Sequence, residues 1–238
     1  MISVKPVIEF ILDLIYPPKC VFCGRVMEIG TKYGVCSKCA PEAGKLECPR
    51  CGFSTRWCDG MAAVWEYKSI VKASLTRYKF QKKQSYSVTF GSAMARKLAD
   101  PGGRVALGRI DRIVCVPLHK KKERKRGYNQ SLLLAEEIAR LTGKTLFADA
   151  LEKVENTKTQ SGIGEIERYN NVRGAYAARG NFKGLRLLIV DDVITTGSTL
   201  DECARVLKSA SASEVTAIAL ATNKRELVNS ASGHGSHS

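Results

Sequence analysis

The 238-residue chain has no long uninterrupted apolar run. Near its beginning, Lys5, Glu9 and Asp13 break the apolar positions, which argues against both an export signal and a transmembrane segment. Histidine is scarce: His119, His234 and His237 all lie far in sequence from the cysteine-rich stretch, so no mixed Cys/His metal site is expected there. Acid is also short, with 23 Asp+Glu against 38 Lys+Arg and a formal net charge of +15. Such an imbalance points to anionic partners: phosphorylated small molecules, nucleic acid or an anionic membrane surface. A P-loop is excluded, because Gly143-Lys144-Thr145 has the right ending but Ile138 stands where the earlier glycine is required. Residues 229–238 carry too little apolar content to order them and read as a disordered tail.

What the chain does contain begins with an amphipathic pattern in residues 1–16. Ile8, Ile11, Leu12 and Ile15 fall at helical spacing, and Pro17-Pro18 ends the run. The helix either packs on its own protein or lies on a membrane surface. A cytoplasmic protein is expected, with contact at the inner face of the membrane as the variant. Next come seven of the nine cysteines. Cys20, Cys23, Cys36 and Cys39 form two CxxC knuckles, whose four thiolates suit a tetrahedral zinc; short knuckles bury too little apolar surface to fold without one. Disulfides would need an oxidising compartment, for which no export signal speaks. Residues 17–60 are therefore expected to be a zinc-ribbon module. Cys48, Cys51 and Cys58 make only three ligands, with Met61 where a fourth cysteine would complete the pattern, and a second metal is not expected there.

From residue 61 to about 228 the pattern alternates between strand and helix. Ala62 to Tyr67 reads as a strand, and Val71, Leu75 and Tyr78 mark a helix that ends at Lys79-Phe80. Ser85 to Leu98 is a second helix. Ile113 to Val116 is a buried strand whose end meets a basic run: Lys120, Lys121, Lys122, Arg124, Lys125 and Arg126, read as a loop with a helix behind it at Leu134, Ile138 and Leu141. Such a run is commonly a solvated face, yet at the carboxyl end of a core strand it can clamp phosphates. Strands are expected at Thr145 to Leu151 and Ala175 to Ala178, flanking the polar segment Lys153 to Asn171.

The richest stretch is Leu187 to Thr199. Leu187-Leu188-Ile189-Val190 has no polar alternation and reads as a strand buried on both faces, so its carboxyl end opens on the crevice where α/β sheets bind ligands. Asp191 and Asp192 follow, and then Thr195, Thr196, Gly197, Ser198 and Thr199 lead into a helix carrying Leu200, Cys203, Ala204 and Leu207. Small hydroxyl residues at a helix N-terminus suit a phosphate. Two carboxylates beside that phosphate suit sugar hydroxyls, such as those of a ribose 5-phosphate.

This stretch resembles the phosphoribosyl-pyrophosphate (PRPP) loop of type I phosphoribosyltransferases. Together with the cysteine knuckles, Lys79-Phe80, Val116-Pro117-Leu118, Arg126-Gly127-Tyr128-Asn129-Gln130 and Thr157-Lys158-Thr159-Gln160, it is similar to the ComF family of competence-associated proteins over nearly all of residues 10–222. The resemblance implies an α/β domain of the type I phosphoribosyltransferase fold with a mostly parallel sheet, preceded by a small zinc-ribbon module. It further implies an enzyme that transfers phosphoribosyl and releases pyrophosphate. Asp191 and Asp192 would orient the ribose, Thr195 to Thr199 would hold the 5-phosphate, and Mg²⁺ with Lys120, Lys121, Lys122, Arg124 and Arg126 would attend the pyrophosphate. The segment from Lys153 to Asn171 would be the flexible loop that covers PRPP, and single-stranded DNA and other competence proteins would be partners. The competing class is a binding or PRPP-sensing protein that uses the same fold without catalysis. One departure from the family is Ser209-Ala210-Ser211-Ala212, where a glycine-containing turn is usual.

Overall fold

The computed structural model describes residues 17–28, 34–48, 54–154 and 172–223. The expected N-terminal helix, the tail, Cys51 and most of the polar segment after Lys153 lie outside them. After a short helix α1 (Ala40–Lys45), the chain runs through β1 (Gly60–Glu66), α2 (Ser69–Phe80), α3 (Tyr86–Leu98), β2 (Arg112–Cys115), α4 (Lys120–Arg126), α5 (Gln130–Thr142), β3 (Thr145–Phe147), β4 (Leu151–Lys153), β5 (Tyr176–Ala178), β6 (Arg186–Ile194), α6 (Ser198–Ser209) and β7 (Glu214–Thr222). Five strands form one sheet in the order β1-β7-β6-β2-β3, and every pairing in it is parallel. β4 and β5 pair antiparallel in a separate ribbon.

The central strands are uniformly apolar because helices cover both faces. Leu188, Val190, Ile218 and Leu220 pack with α2, α3 and α5, through residues such as Tyr78, Phe90 and Leu134. Leu187, Ile189, Ala217 and Ala219 face the other way, against Leu200, Cys203, Ala204 and Leu207 of α6. The helical spacing read from the sequence thus selects the buried face of α6.

Three local expectations are corrected. The acid pair belongs to strand β6 and not to a loop after it: Asp191 pairs with Ala219, Val193 with Ala221 and Ile194 with Thr222, so the ladder with β7 outlasts the apolar run. Backbone pairing continues because it needs only a neighbouring strand, whatever the side chain. The basic run is a helix. His119 caps α4 by accepting at Nδ1 from the Lys121 N–H (3.2 Å), and Gly127 closes it at φ 87°. Finally, the strand expected over Thr145 to Leu151 is broken at residues 148–150 into β3 and β4, which join different sheets.

The cysteine-rich region and the α/β domain share apolar packing. Cys20, Val21, Phe22, Met27, Ala43 and Leu46 belong to the same buried cluster as Trp65, Tyr78 and Phe90. Phe22 meets Trp65 edge to face at 5.6 Å between ring centroids.

Candidate active site and cysteine cluster

Because successive strand residues point to opposite faces, the two adjacent carboxylates have different surroundings. Asp192 forms an ion pair with Lys79 Nζ at 2.8 Å, and the two side chains are 14% and 18% exposed. Lys79 is the next-to-last residue of α2, so the end of that helix delivers the cation. Burial opposes its charge, but the Asp192 carboxylate beside it and the more distant Asp191 hold its pKa above the usual lysine value. Asp191 accepts from Ser131 Oγ (2.9 Å) and from the Asp192 N–H (2.8 Å), both at Oδ1. Burial, and then the neighbouring Asp192 charge, push its pKa up to about 7 against those hydrogen bonds. Among the described residues the Oδ2 atoms of both carboxylates have no hydrogen-bond partner.

Three residues beyond the acids the chain turns. Gly197 sits at φ 82°, a left-handed conformation that glycine adopts without strain, and α6 starts at Ser198. Thr196 Oγ1 lies 2.7 Å from Ser198 Oγ and accepts from the Ser198 N–H at 3.3 Å. Thr195 is exposed, Thr196 and Thr199 are half-buried, and Ser198 is buried. All five residues expected to hold a phosphate therefore stand at or next to the start of one helix. Asp201, in the first turn of α6 and 1% exposed, secures that turn from behind. Its carboxylate accepts from Thr55 Oγ1, from the Trp57 N–H (2.8 Å) and from the Cys58 N–H (3.3 Å), while its own N–H donates to the Gly197 carbonyl at 2.9 Å.

The basic run does not act as one surface. Lys120 lines a cavity of about 250 Å³ at the carboxyl ends of β2 and β3, which also takes in Leu118, Glu123, Asp149, Lys153 and Arg179. Lys153 Nζ donates to the Tyr176 hydroxyl at 3.0 Å. Its pKa is lowered by burial and then by Lys122 nearby, against the pull of Asp191. Arg126 turns away, donating to Gln130 Oε1 (2.8 Å) and lying 5.1 Å over the exposed Phe80 ring. Lys121, Arg124 and Lys125 are exposed. Lys79 as a partner of Asp192, Ser131 and Lys153 were missed from the sequence. Lys79 offered the only signal, a lysine in the last turn of a helix aimed at the sheet edge.

The Sγ atoms of Cys20, Cys23, Cys36 and Cys39 all lie within 4.8 Å of one another. Cys23 and Cys36 are 3.7 Å apart, close to the roughly 3.8 Å that two thiolates take at tetrahedral corners about 2.3 Å from zinc. The Cys36 N–H points at Cys20 Sγ (3.4 Å), as a backbone donor to a thiolate should. Burial opposes it, but the Cys39 N–H and the surrounding thiols bring Cys36 down to about 6, while burial and those same thiols push Cys39 up. Four thiols this close do not all ionise without a cation among them, so the donor set fits zinc. The third knuckle includes Cys51, outside the described residues; Cys58 is buried and directs its thiol to the Gly60 carbonyl at 3.4 Å.

Comparison with known proteins agrees with this layout. A phosphoribosyl transferase domain matches residues 128–232, and a double zinc ribbon domain matches residues 11–63. The chain is thus of the phosphoribosyltransferase fold with an N-terminal zinc ribbon, and it is similar to proteins named for competence and for DNA utilization. It is 27% identical over 215 residues to Competence protein F of Haemophilus influenzae, covering 83% of this chain and 93% of that one. To the DNA utilization protein YhgH of Escherichia coli it is 27% identical over 211 residues, covering 82% and 92%. It is 28% identical over 210 residues to Competence protein ComFC of Bacillus subtilis, covering 77% and 83%. The resemblance to the ComF family seen in the motifs is borne out by these homologues. No helix among the described residues is long and apolar enough to cross a membrane.

Proposed function

We propose that this protein is a phosphoribosyltransferase that binds PRPP at the carboxyl ends of β6 and β2, releases pyrophosphate from C1 of the ribose, and serves the uptake or use of DNA. One observation carries this reading: an acid pair, with an oxygen on each carboxylate that has no hydrogen-bond partner among the described residues, runs within five residues into the left-handed Gly197 turn that opens the 12-residue helix α6. A 5-phosphate in that turn meets backbone N–H groups, the hydroxyls of Thr195, Thr196, Ser198 and Thr199, and the positive end of the helix dipole. The ribose hydroxyls then donate to Asp191 and Asp192, whose charge also favours an oxocarbenium-like transition state. Lys79 holds Asp192 in place through their ion pair. Mg²⁺, when bound with PRPP, would neutralise charge on the leaving pyrophosphate. On that side of the site the chain itself offers Lys120, Lys122 and Lys153, whereas Lys121 and Arg124 stand in solvent. The reading puts its work in the cytoplasm, with the inner face of the membrane as the variant.

The test is isothermal titration of Mg²⁺-PRPP against wild type and the Asp191→Asn/Asp192→Asn double variant. Losing a charge-assisted hydrogen bond costs about 1.5 to 3 kcal/mol. The double change should therefore weaken binding on the order of a hundredfold or more, at roughly 1.4 kcal/mol per tenfold. Equal affinities would end the proposal. Pyrophosphate release with a panel of acceptors separates enzyme from sensor, since a pure binder releases none.

A second reading, direct contact with single-stranded DNA, is favoured by the exposed cations of α4 beside Phe80, which is 66% exposed with Arg126 over its ring. Stacked bases and phosphates suit such a surface. Affinity should fall steeply with salt, and Ala at Lys121, Arg124 and Lys125 should flatten that slope; an unchanged slope assigns these residues to solvent.

A further inference from the structure

The first cysteine knuckle is tied to the helix that carries Lys79. Val21 and Phe22 lie between the metal-ligand candidates Cys20 and Cys23, and the knuckle is held by a Gly24 N–H bond to the Cys20 carbonyl and a Cys20 N–H bond to the Arg25 carbonyl, each 2.8 Å. The knuckle's outward carbonyls are taken up by α2. Ser74 Oγ, buried, donates to the Val21 carbonyl; Arg77 Nη2 donates to the same carbonyl at 3.1 Å and to the Phe22 carbonyl. Arg77 is thus bonded to the knuckle at one end of a half-turn whose other end, Lys79, is bonded to Asp192. Apolar contact also reaches α2, since Phe22 packs on Trp65, Trp65 on Phe90 of α3, and Phe90 on Tyr78 of α2.

We infer that Arg77 is a positioning residue through which the metal-bound knuckle sets the place of Lys79, and with it the Lys79–Asp192 ion pair, so that metal and PRPP bind with positive coupling. The inference rests on the reading of Asp191 and Asp192 as a PRPP site. Arg77 Nη2 donates to both successive carbonyls, and because that nitrogen belongs to a rigid planar guanidinium its N–H directions are fixed, which those of a lysine's rotating ammonium are not. The knuckle presents those carbonyls in one arrangement only while its four thiolates share an ion. Removing the ion frees the carbonyls, α2 loses its outer anchor, and the Lys79 pair loosens. Because coupling between two binding sites is reciprocal, PRPP must then retain metal by the same factor that metal improves PRPP binding.

The experiment measures zinc transfer from the zinc-loaded full chain to a chromophoric chelator, with and without saturating Mg²⁺-PRPP, alongside isothermal titration of PRPP. Zinc held about tenfold more tightly against the chelator at equilibrium with PRPP is the expected result in wild type. The protection should vanish in Arg77→Met, or in Arg77→Lys if the first variant does not fold, although each still binds PRPP; this control also removes any direct effect of PRPP on the chelator. Equal zinc affinities with and without PRPP in a wild type that binds PRPP would overturn the coupling and leave the proposed function standing. If wild type binds no PRPP, the proposed function falls. The coupling is then decided by hydrogen exchange at residues 76–80: faster exchange after metal removal upholds the knuckle-to-Lys79 link, and unchanged exchange refutes it.

Discussion

Replacing Asp192 with Asn tests the most consequential contact in the site, because it removes the partner of Lys79 while keeping the size of the side chain. At 2.8 Å the gross attraction is about 6 kcal/mol for an effective dielectric of about 20. Little of that is net, since desolvation opposes it, but deleting one partner of a buried pair strands the other and typically costs about 3 to 5 kcal/mol. With 18% and 14% of the two side chains exposed, water relieves part of the loss, and about 2 to 3 kcal/mol is expected. For a chain of this size that corresponds to a fall in Tm of roughly 5 to 10 °C. Lys79→Met should cost at least as much, because it leaves Asp191 and Asp192 side by side without a cation. The double variant should recover part of the combined loss, giving a coupling of about 2 kcal/mol in a double-mutant cycle of thermal or denaturant melts. Two single variants that each cost less than about 0.5 kcal/mol and add would refute the argument. Read as a solvated acidic loop, the pair predicts the opposite sign: neutralising a carboxylate relieves repulsion and leaves Tm unchanged or higher.

Two further outcomes follow from other parts of the fold. Burial and then Asp192 raise Asp191 from 3.8 to about 7, so the stability it contributes is fully present below the unfolded value and is lost as pH rises through about 7. The unliganded wild type should lose Tm between about pH 4 and 7 relative to Asp191→Asn and level off above that, while Mg²⁺-PRPP affinity should rise as pH climbs to about 7, with proton release detectable by titration in two buffers; a flat pH profile for both would contradict the assignment. Ser211, exposed and at φ 72° in the turn before β7, occupies a conformation that costs a non-glycine residue about 1 kcal/mol. Ser211→Gly should raise Tm by up to about 3 °C, less the part lost to greater unfolded-state freedom, while Ser211→Ala should not.

Much of this protein can be read from its sequence because the relevant forces are local. Four apolar residues ending in two acids mark a buried strand that reaches a ligand-binding edge, and hydroxyls around Gly197 mark a helix start, since both depend on near neighbours in the chain. CxxC spacing likewise specifies a metal cluster, because two cysteines three positions apart already present both sulfurs to one side. The tertiary structure decided what lies across from these groups. It took the acids into a strand, because β7 continues beside them. It gave Asp192 a lysine from more than a hundred residues earlier and Asp191 a serine from α5, since helices packed on a parallel sheet bring their ends together regardless of sequence distance. It divided a uniform basic run by the turn of a helix, so that Lys120 borders a cavity, Lys122 is half-buried near Lys153, Arg126 lies over Phe80, and Lys121, Arg124 and Lys125 face water. It also joined the cysteine knuckle to α2 through backbone carbonyls, which every residue carries and which no residue type announces.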